Sequence, residues 1–399
     1  MKYNFDEIVD RSETYDRKWN IEYLTQTYQI NPHQKIYSAW IGDTDFKCPI
    51  AVVDVIKKRV ETNIYGYNYV PTQFYQSIIK WHQERLKVNL QPSWIHLTYG
   101  TVGTLYYLIQ EFSNVQDRIL VQTPVYGPFG ESIIDNNRTL VCNNLLYQDN
   151  SYQIDFTDFE NQIINNQVKI FIFCSPHNPG GIVWTKQDIK KMLKICQKHQ
   201  VLVIADEVHR DLIINQEATF TSCLAFPEHY SHLIVCTSPN NAFNFGGFKT
   251  SYIVIPDETL TTRFLNCMKI NRVTSPNTFG AIALIAAYDN CQDWLEQLNV
   301  YLWNNFVIVK EFFQTELPFC KVMHSDASFF AWINFVETGL TAEEIEELFL
   351  KKNIILSYGK DFVQNGEFFF RLNFGCSQVF LKELLLQIKT AFMELEGKR

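Results

Sequence analysis

The chain has 399 residues, 46% of them hydrophobic, enough to bury one large core and a smaller second one. Its net charge of −8, with the basic residues scattered, excludes the electrostatic footprint of a nucleic-acid or anionic-membrane binder. Ten cysteines without Cys-x-x-Cys or metal-ligand spacing predict buried free thiols in a reducing compartment. The polar N-terminus lacks an apolar leader, and the longest nearly uninterrupted apolar stretch, Phe279 to Tyr288, is too short to cross a bilayer. The expectation is a cytoplasmic protein that holds small anionic ligands locally.

Residues 1–47 are polar, aromatic-rich and weakly periodic, an arm with little core of its own, ending in Trp40-Ile41-Gly42-Asp43-Thr44-Asp45-Phe46. Apolar spacing predicts helices over Ile50 to Thr62 and Tyr75 to Leu86, with the turn-like Ile64-Tyr65-Gly66-Tyr67-Asn68 between them. A short strand from Ile95 to Gly100 ends in a small-residue turn, and a helix opens near Leu105. Strand-like runs then recur at Arg118–Pro124, Lys169–Pro176, Val201–Asp206 and Leu233–Ser238. A helix lies between the second and third of these runs, and its start, Thr185-Lys186-Gln187-Asp188, reads as a capping box. Continuous apolar strands alternating with helices predict an α/β fold, a mostly parallel sheet covered on both faces. Ligands of such sheets bind at the carboxyl ends of the strands. From about Cys291 the texture changes to a long helix (Trp294–Phe313), an apolar run (Ala327–Phe335), a helix from Thr341, strands at Asn353–Tyr358 and Glu367–Phe374, and a last helix from about Gln378 to Leu395. The expected division is a large domain over 48–290 and a small α+β domain formed by 1–47 with 291–399.

The polar residues at the strand ends carry the candidate chemistry. Asp206 ends the run Val201–Ala205, so its carboxylate belongs at the top of a buried strand, as a ligand-binding anion, a helix N-cap or half of an ion pair. Gly100-Thr101-Val102-Gly103 at a helix start offers backbone N–H groups and a favourable dipole to an anion. Arg371 lies in the aromatic strand Phe368-Phe369-Phe370-Arg371-Leu372-Asn373, where an unpaired guanidinium is costly. It must meet an anion, either a protein carboxylate or a ligand.

Ser238-Pro239-Asn240-Asn241, after the strand at Leu233–Cys236, resembles the Ser-x-x-Lys exit of fold-type I enzymes that use pyridoxal 5'-phosphate (PLP). Their three-layer α/β/α large domain and smaller α+β domain follow as the implied fold. The motif order extends the resemblance over nearly the whole chain: Asn4-Phe5-Asp6, Asp10-Arg11, Lys18-Trp19, Trp40 to Phe46, Ile64 to Tyr67, Pro124-Val125-Tyr126 and Ala205 to His209. These look more like the cystathionine β-lyase branch typified by PatB and MalY than like aspartate aminotransferases.

That resemblance implies that Asp206 pairs with the pyridine nitrogen and that Asn178 and His209 face the phenolic oxygen. Tyr126 stacks on the ring, and Thr101, Val102, Ser238 and Lys249 hold the phosphate. Tyr67 reaches it from the partner subunit of a homodimer. Arg371 takes the substrate α-carboxylate, beside Gly42. The bland alternatives are a structural His209, a turn at Asn178-Pro179, an ordinary loop aromatic at Tyr126, a solvated Lys249 and a structural ion pair at Arg371. Gly180 and Ile182 depart from the Asn-Pro-Thr-Gly-Lys version of their loop. The implied reaction cleaves L-cystathionine or cysteine S-conjugates to a thiol, pyruvate and ammonia.

Asn241 stands where the Schiff-base lysine is expected, and an amide is neither a nucleophile nor a useful base at neutral pH. The implied enzyme is therefore a C–S β-lyase whose lysine has been replaced and which is inactive or severely impaired. The alternatives are an aminotransferase, a natural non-catalytic binder of PLP or amino acids acting as a regulator, and an asparagine standing for a modified lysine.

Overall fold

The computed structural model describes residues 2–396; Met1 and the final Gly397, Lys398 and Arg399 of the segment 291–399 lie outside it. Seven strands form the central sheet in the order Ile95–Thr98, Ser251–Val254, Leu233–Thr237, Leu202–Asp206, Ile170–Cys174, Arg118–Thr123 and Thr139–Asn144. Ser251–Val254 runs antiparallel to both its neighbours, and the other adjacent pairs are parallel.

Successive side chains of a strand point to opposite faces, and the core divides accordingly. Ile170, Ile172, Ile204 and Ile234 pack with Leu105, Ile109, Phe129 and Phe264 on one face. Phe171, Phe173, Val203 and Val235 pack with Phe159, Ile189, Leu193 and Leu284 on the other. Helices Thr101–Phe112, Gly127–Ile134 and Glu258–Ile270 therefore cover the first face, and Phe156–Asn166, Lys186–Lys198 and Gly280–Asn290 the second. The result is three layers. Each Phe or Ile buried in this way contributes about 1.5–3 kcal/mol.

The C-terminal third builds a four-stranded antiparallel sheet in the order Lys321–Val322, Phe330–Asn334, Phe369–Asn373, Ser357–Tyr358. Its register puts Arg371 beside Trp332 and Ser357. Helices Gln292–Glu316 and Gln378–Glu396 complete this region. Two short pairings link it to the rest: Tyr37–Ser38 with Ile354–Ile355, and Val125–Tyr126 with Phe362–Val363. Among the described residues no helix is long and apolar enough to cross a membrane.

The capping box is present in both halves, Thr185 Oγ1 accepting the Asp188 N–H and the Asp188 carboxylate accepting the Thr185 N–H. Several boundaries differ from expectation. The helix expected at Leu105 starts at Thr101, because Gly100 holds φ +93° and turns the chain before the apolar stripe begins. The helix expected from Tyr75 starts at Thr72, and its last turn, His82–Leu86, is widened into a π-turn. The strand expected at Asn353–Tyr358 is two pieces serving different partners. The N-terminal arm contains a helix, Ile21–Tyr28, whose Leu24 is fully buried with Ile30 and Ile355.

Candidate active site

A cavity of about 960 Å³ opens at the carboxyl ends of the parallel strands, lined by side chains from both sheets and the arm. At one end the helix Thr101–Phe112 points its N-terminus inward. Thr101, Val102 and Gly103 line the cavity, and a side-chain carbon added at Gly103 would meet open space. The Gly100 N–H is held by Ser251 Oγ at 2.8 Å, which fixes the turn. Lys249 lines the same end, its Cδ 3.8 Å from where a Gly100 Cβ would stand. Ser238 also lines it, but its hydroxyl donates to the Thr250 carbonyl at 2.8 Å and accepts the Asn240 N–H at 3.0 Å. Any donation by Ser238 to a ligand must displace the first of these bonds.

In the middle of the cavity Asp206 ends its strand, 4% exposed, with the Val208 N–H 3.0 Å from one carboxylate oxygen. Burial raises its pKa to about 7; the Val208 N–H opposes the shift and neighbouring Glu207 adds to it. Apart from that single N–H, the buried carboxyl has no hydrogen-bond donor and no cation paired with it among the described residues. His209 is buried edge-on to Phe329 and Phe330, with Nδ1 3.2 Å from Ser328 Oγ. Burial, then the Arg371 charge, push its pKa down to about 3, so the ring is neutral. Tyr126 lines the cavity beside Phe129, its phenol pKa raised by burial.

At the far end Arg371 is 5% exposed. It donates to Asn178 Oδ1 at 3.0 Å, the Trp40 carbonyl at 2.9 Å and Ser357 Oγ at 3.3 Å, all neutral, while its Nε is buried without a partner. Its guanidinium lies 3.8 Å from the centre of the Phe330 ring. Burial lowers its pKa to about 10, against smaller raising effects from Tyr126 and Asp361. The protein carboxylate that would make Arg371 a structural ion pair is not among these partners. Gly42 lines this region, with Phe330 Cζ 3.7 Å from the position of an added Cβ.

Asn241 lies on the cavity wall in the one-turn helix Asn240–Phe243 that follows the strand Leu233–Thr237. Asn244 ends that turn at φ 55°, and its amide donates to the carbonyls of Thr44 at 2.9 Å and Phe46 at 2.7 Å. The loop bearing Gly42 is thereby fixed against position 241. Asn373 holds the same loop from the other side through the carbonyls of Ile41 and Asp43, both at 2.7 Å. Arg11 binds Asp16, Asp43 and Asp45 at 2.8–2.9 Å. Lys18, only 1% exposed, reaches Asp45 at 3.0 Å.

Eleven of the twelve residues singled out in the sequence line this one cavity: Gly42, Thr101, Val102, Tyr126, Asn178, Asp206, His209, Ser238, Asn241, Lys249 and Arg371. Tyr67 does not; its side chain is fully exposed in the stretch Ile64–Tyr69, which forms no helix or strand. Trp40, Ser357, Phe330 and Asn244 were not singled out. Their contributions depend on a backbone carbonyl, a strand register or a contact about two hundred residues away in the chain, for which a sequence has no local signal.

The model of the family "Aminotransferase class I and II" matches residues 41–388. The chain belongs to this family. It is 33% identical over 392 residues to the cystathionine beta-lyase PatB of Bacillus subtilis, covering 97% of this chain and 99% of that one. Among solved structures, cystalysin from Treponema denticola, which contains a pyridoxal 5'-phosphate cofactor, superposes with TM-score 0.93 at 28% identity, over 99% of this chain and 100% of its own. The PLP-bound C–S lyase of Staphylococcus hominis does so with TM-score 0.90 at 27% identity, over 98% of each chain. The architecture is that of the fold-type I enzymes.

Proposed function

We propose that the cavity binds PLP together with the α-carboxylate of an L-cysteine conjugate, as a C–S β-lyase does, and that with Asn241 the chain holds these ligands without turning them over. The observation that carries this reading is the pair of unsatisfied buried groups. Asp206, with a single N–H contact, and Arg371, with neutral partners only, lie in one cavity.

The residues present fit the cofactor. Asp206, a buried carboxyl with one N–H donor, would hold the proton on its ring nitrogen. The Asn178 amide, whose oxygen serves Arg371, keeps its N–H₂ for the phenolic oxygen. His209 is neutral, so when Nδ1 accepts the Ser328 hydroxyl, Nε2 carries a proton to donate. Tyr126 would stack on the ring. Thr101 and Val102 at the helix N-terminus, with Lys249 and Ser238, would take the phosphate. Bound PLP would supply an electron sink for the pair left at Cα when its proton departs.

Within that frame Arg371 orients the substrate by a two-pronged grip on its carboxylate, and the loop at Gly42 bounds the space for the departing thiol. Position 241 is where a base must take the Cα proton and return it. The Asn241 amide cannot carry that proton, and the loss is about several powers of ten in rate. The names of the relatives support the lyase, with L-cystathionine or other cysteine S-conjugates cleaved to thiol, pyruvate and ammonia when lysine stands at 241. Asn241 itself favours a second reading, a natural non-catalytic binder of PLP and amino acids. The rival within the fold is an aminotransferase.

The proposal extends to a homodimer, with Tyr67 of the partner subunit completing the phosphate site; the exposed run Ile64, Tyr65, Tyr67 and Tyr69 supports it. It includes two domains divided at 48–290 and a reducing, cytoplasmic setting, which ten free thiols support. The test is to incubate the chain and its Asn241→Lys variant with PLP and L-cystathionine. Both should retain PLP, and only the variant should release pyruvate and a thiol. A keto acid matched to the amino donor would indicate the aminotransferase. PLP retained by both without turnover would leave the binder. If neither retains PLP, the site assignment fails.

A further inference from the structure

We infer that this chain takes up PLP in an amino-acid-dependent way, the amino acid supplying the amine that position 241 lacks, so that the pocket responds to amino-acid concentration by retaining or releasing its cofactor. This rests on the function proposed above. Two observations carry it. The first is Asn241 on the cavity wall, whose amide nitrogen cannot condense with an aldehyde. The second is Arg371, a buried cation with a partnerless Nε and no carboxylate among its hydrogen-bond partners.

An α-amino acid answers both at once. Its carboxylate pairs with Arg371, and its ammonium nitrogen condenses with the aldehyde of PLP. The C=N bond forms, the aldehyde oxygen leaves as water with two of the ammonium hydrogens, and the third stays on the imine nitrogen, so charge and atoms balance without an oxidant or a second reactant. The joined ligand then spans the cavity from the helix end at Thr101 to Arg371. PLP alone touches only the first part of that surface and gains no covalent anchor. A ligand that makes contacts neither component makes alone couples their binding, and the coupling is reciprocal: amino acid tightens PLP by the factor by which PLP tightens amino acid. With lysine at 241 the coupling would vanish, because the protein's own amine would hold the cofactor whether or not an amino acid is present.

The test is equilibrium dialysis of PLP against the full chain, counting cofactor in all forms on both sides because PLP also condenses with amines in free solution. The probes are L-alanine, which has no leaving group and cannot be consumed by elimination; N-acetyl-L-alanine, a carboxylate without a free amine; and ethylamine, an amine without a carboxylate. L-Alanine should lower the apparent Kd for PLP about tenfold or more, and the other two should leave it unchanged. Arg371→Gln and Arg371→Lys should lose most of the response, read as the ratio of the PLP Kd without L-alanine to that with it. Asn241→Lys should bind PLP equally with and without L-alanine. A parent chain that binds PLP with an affinity indifferent to L-alanine overturns the inference and leaves the cofactor site standing. Absence of PLP binding with and without L-alanine overturns both. An equal response to ethylamine overturns the role given to Arg371 and with it the amino-acid selectivity.

Discussion

Replacing Arg371 by methionine separates a ligand-binding arginine from a structural one. Burial lowers the guanidinium pKa from 12.5 to about 10, which corresponds to roughly 3 kcal/mol of unfavourable charge burial. That cost is present at every pH below about 10. The bonds to Asn178, Trp40 and Ser357 and the contact with the Phe330 ring offset part of it. Methionine removes the cost and the compensation together while keeping an unbranched chain against Phe330, so the net change in folding stability should stay within about 2 kcal/mol. For a chain of this size that is a shift of a few degrees in Tm. A bound carboxylate, by contrast, loses the cation proposed to meet it, a loss of about 2–5 kcal/mol, or roughly 30-fold to several thousand-fold in Kd. The assay is calorimetric titration of the PLP-loaded parent and the variant with an L-amino acid, alongside thermal unfolding of both without ligands. A variant that loses more than about 15 °C in Tm and keeps its amino-acid affinity within about threefold would show Arg371 to be structural.

Three further outcomes are expected. The folded-state pKa of Asp206 is raised to about 7 from 3.8, so its contribution is complete below the unfolded value and is lost as pH rises towards the folded one. Urea titrations at about pH 5 and about pH 8 should therefore show the ligand-free parent losing roughly 2–3 kcal/mol relative to Asp206→Asn; equal losses in both proteins would contradict the assignment. Lys18→Met should lower stability by about 3 kcal/mol, because it leaves Asp45 short of a buried cation, with the shift read from the urea midpoint. Asn244→Ala strips the Phe46 carbonyl of its donor and leaves the Thr44 carbonyl with only the Arg11 guanidinium at 3.2 Å. It should cost about 1–3 kcal/mol and speed proteolytic cleavage within residues 42–47, and an unchanged cleavage rate would show that the loop is held by other contacts.

The central strands were legible because they are buried on both faces and read as unbroken apolar runs. Thr139–Asn144 was not, because it is an edge strand with alternating exposure and two asparagines at its end. The helices Phe156–Asn166 and Glu258–Ile270 carry many polar residues around a narrow buried stripe, and no apolar period announces them. In the cavity, residues on the loops after strands were legible by type and order, since Asp206 ends a strand and Asn178 follows one. Hydrogen-bond commitments were not: that Ser238 already spends its proton on Thr250, or that Asn373 carries the loop at Ile41, depends on which backbone atoms the fold brings alongside. Tyr67 shows the limit of a single chain: it is fully exposed there, and the role that the resemblance implies for it depends on a partner subunit.

Asparagine and lysine codons differ only in the third base. Under the proposed function, the amide on the cavity wall at position 241 makes the gap between a protein that holds its ligand and one that breaks it a single-nucleotide step, open in both directions. A gene in that position can drift between the two states far more readily than it could rebuild the buried network around Arg371, and related chains with either residue are to be expected within one lineage.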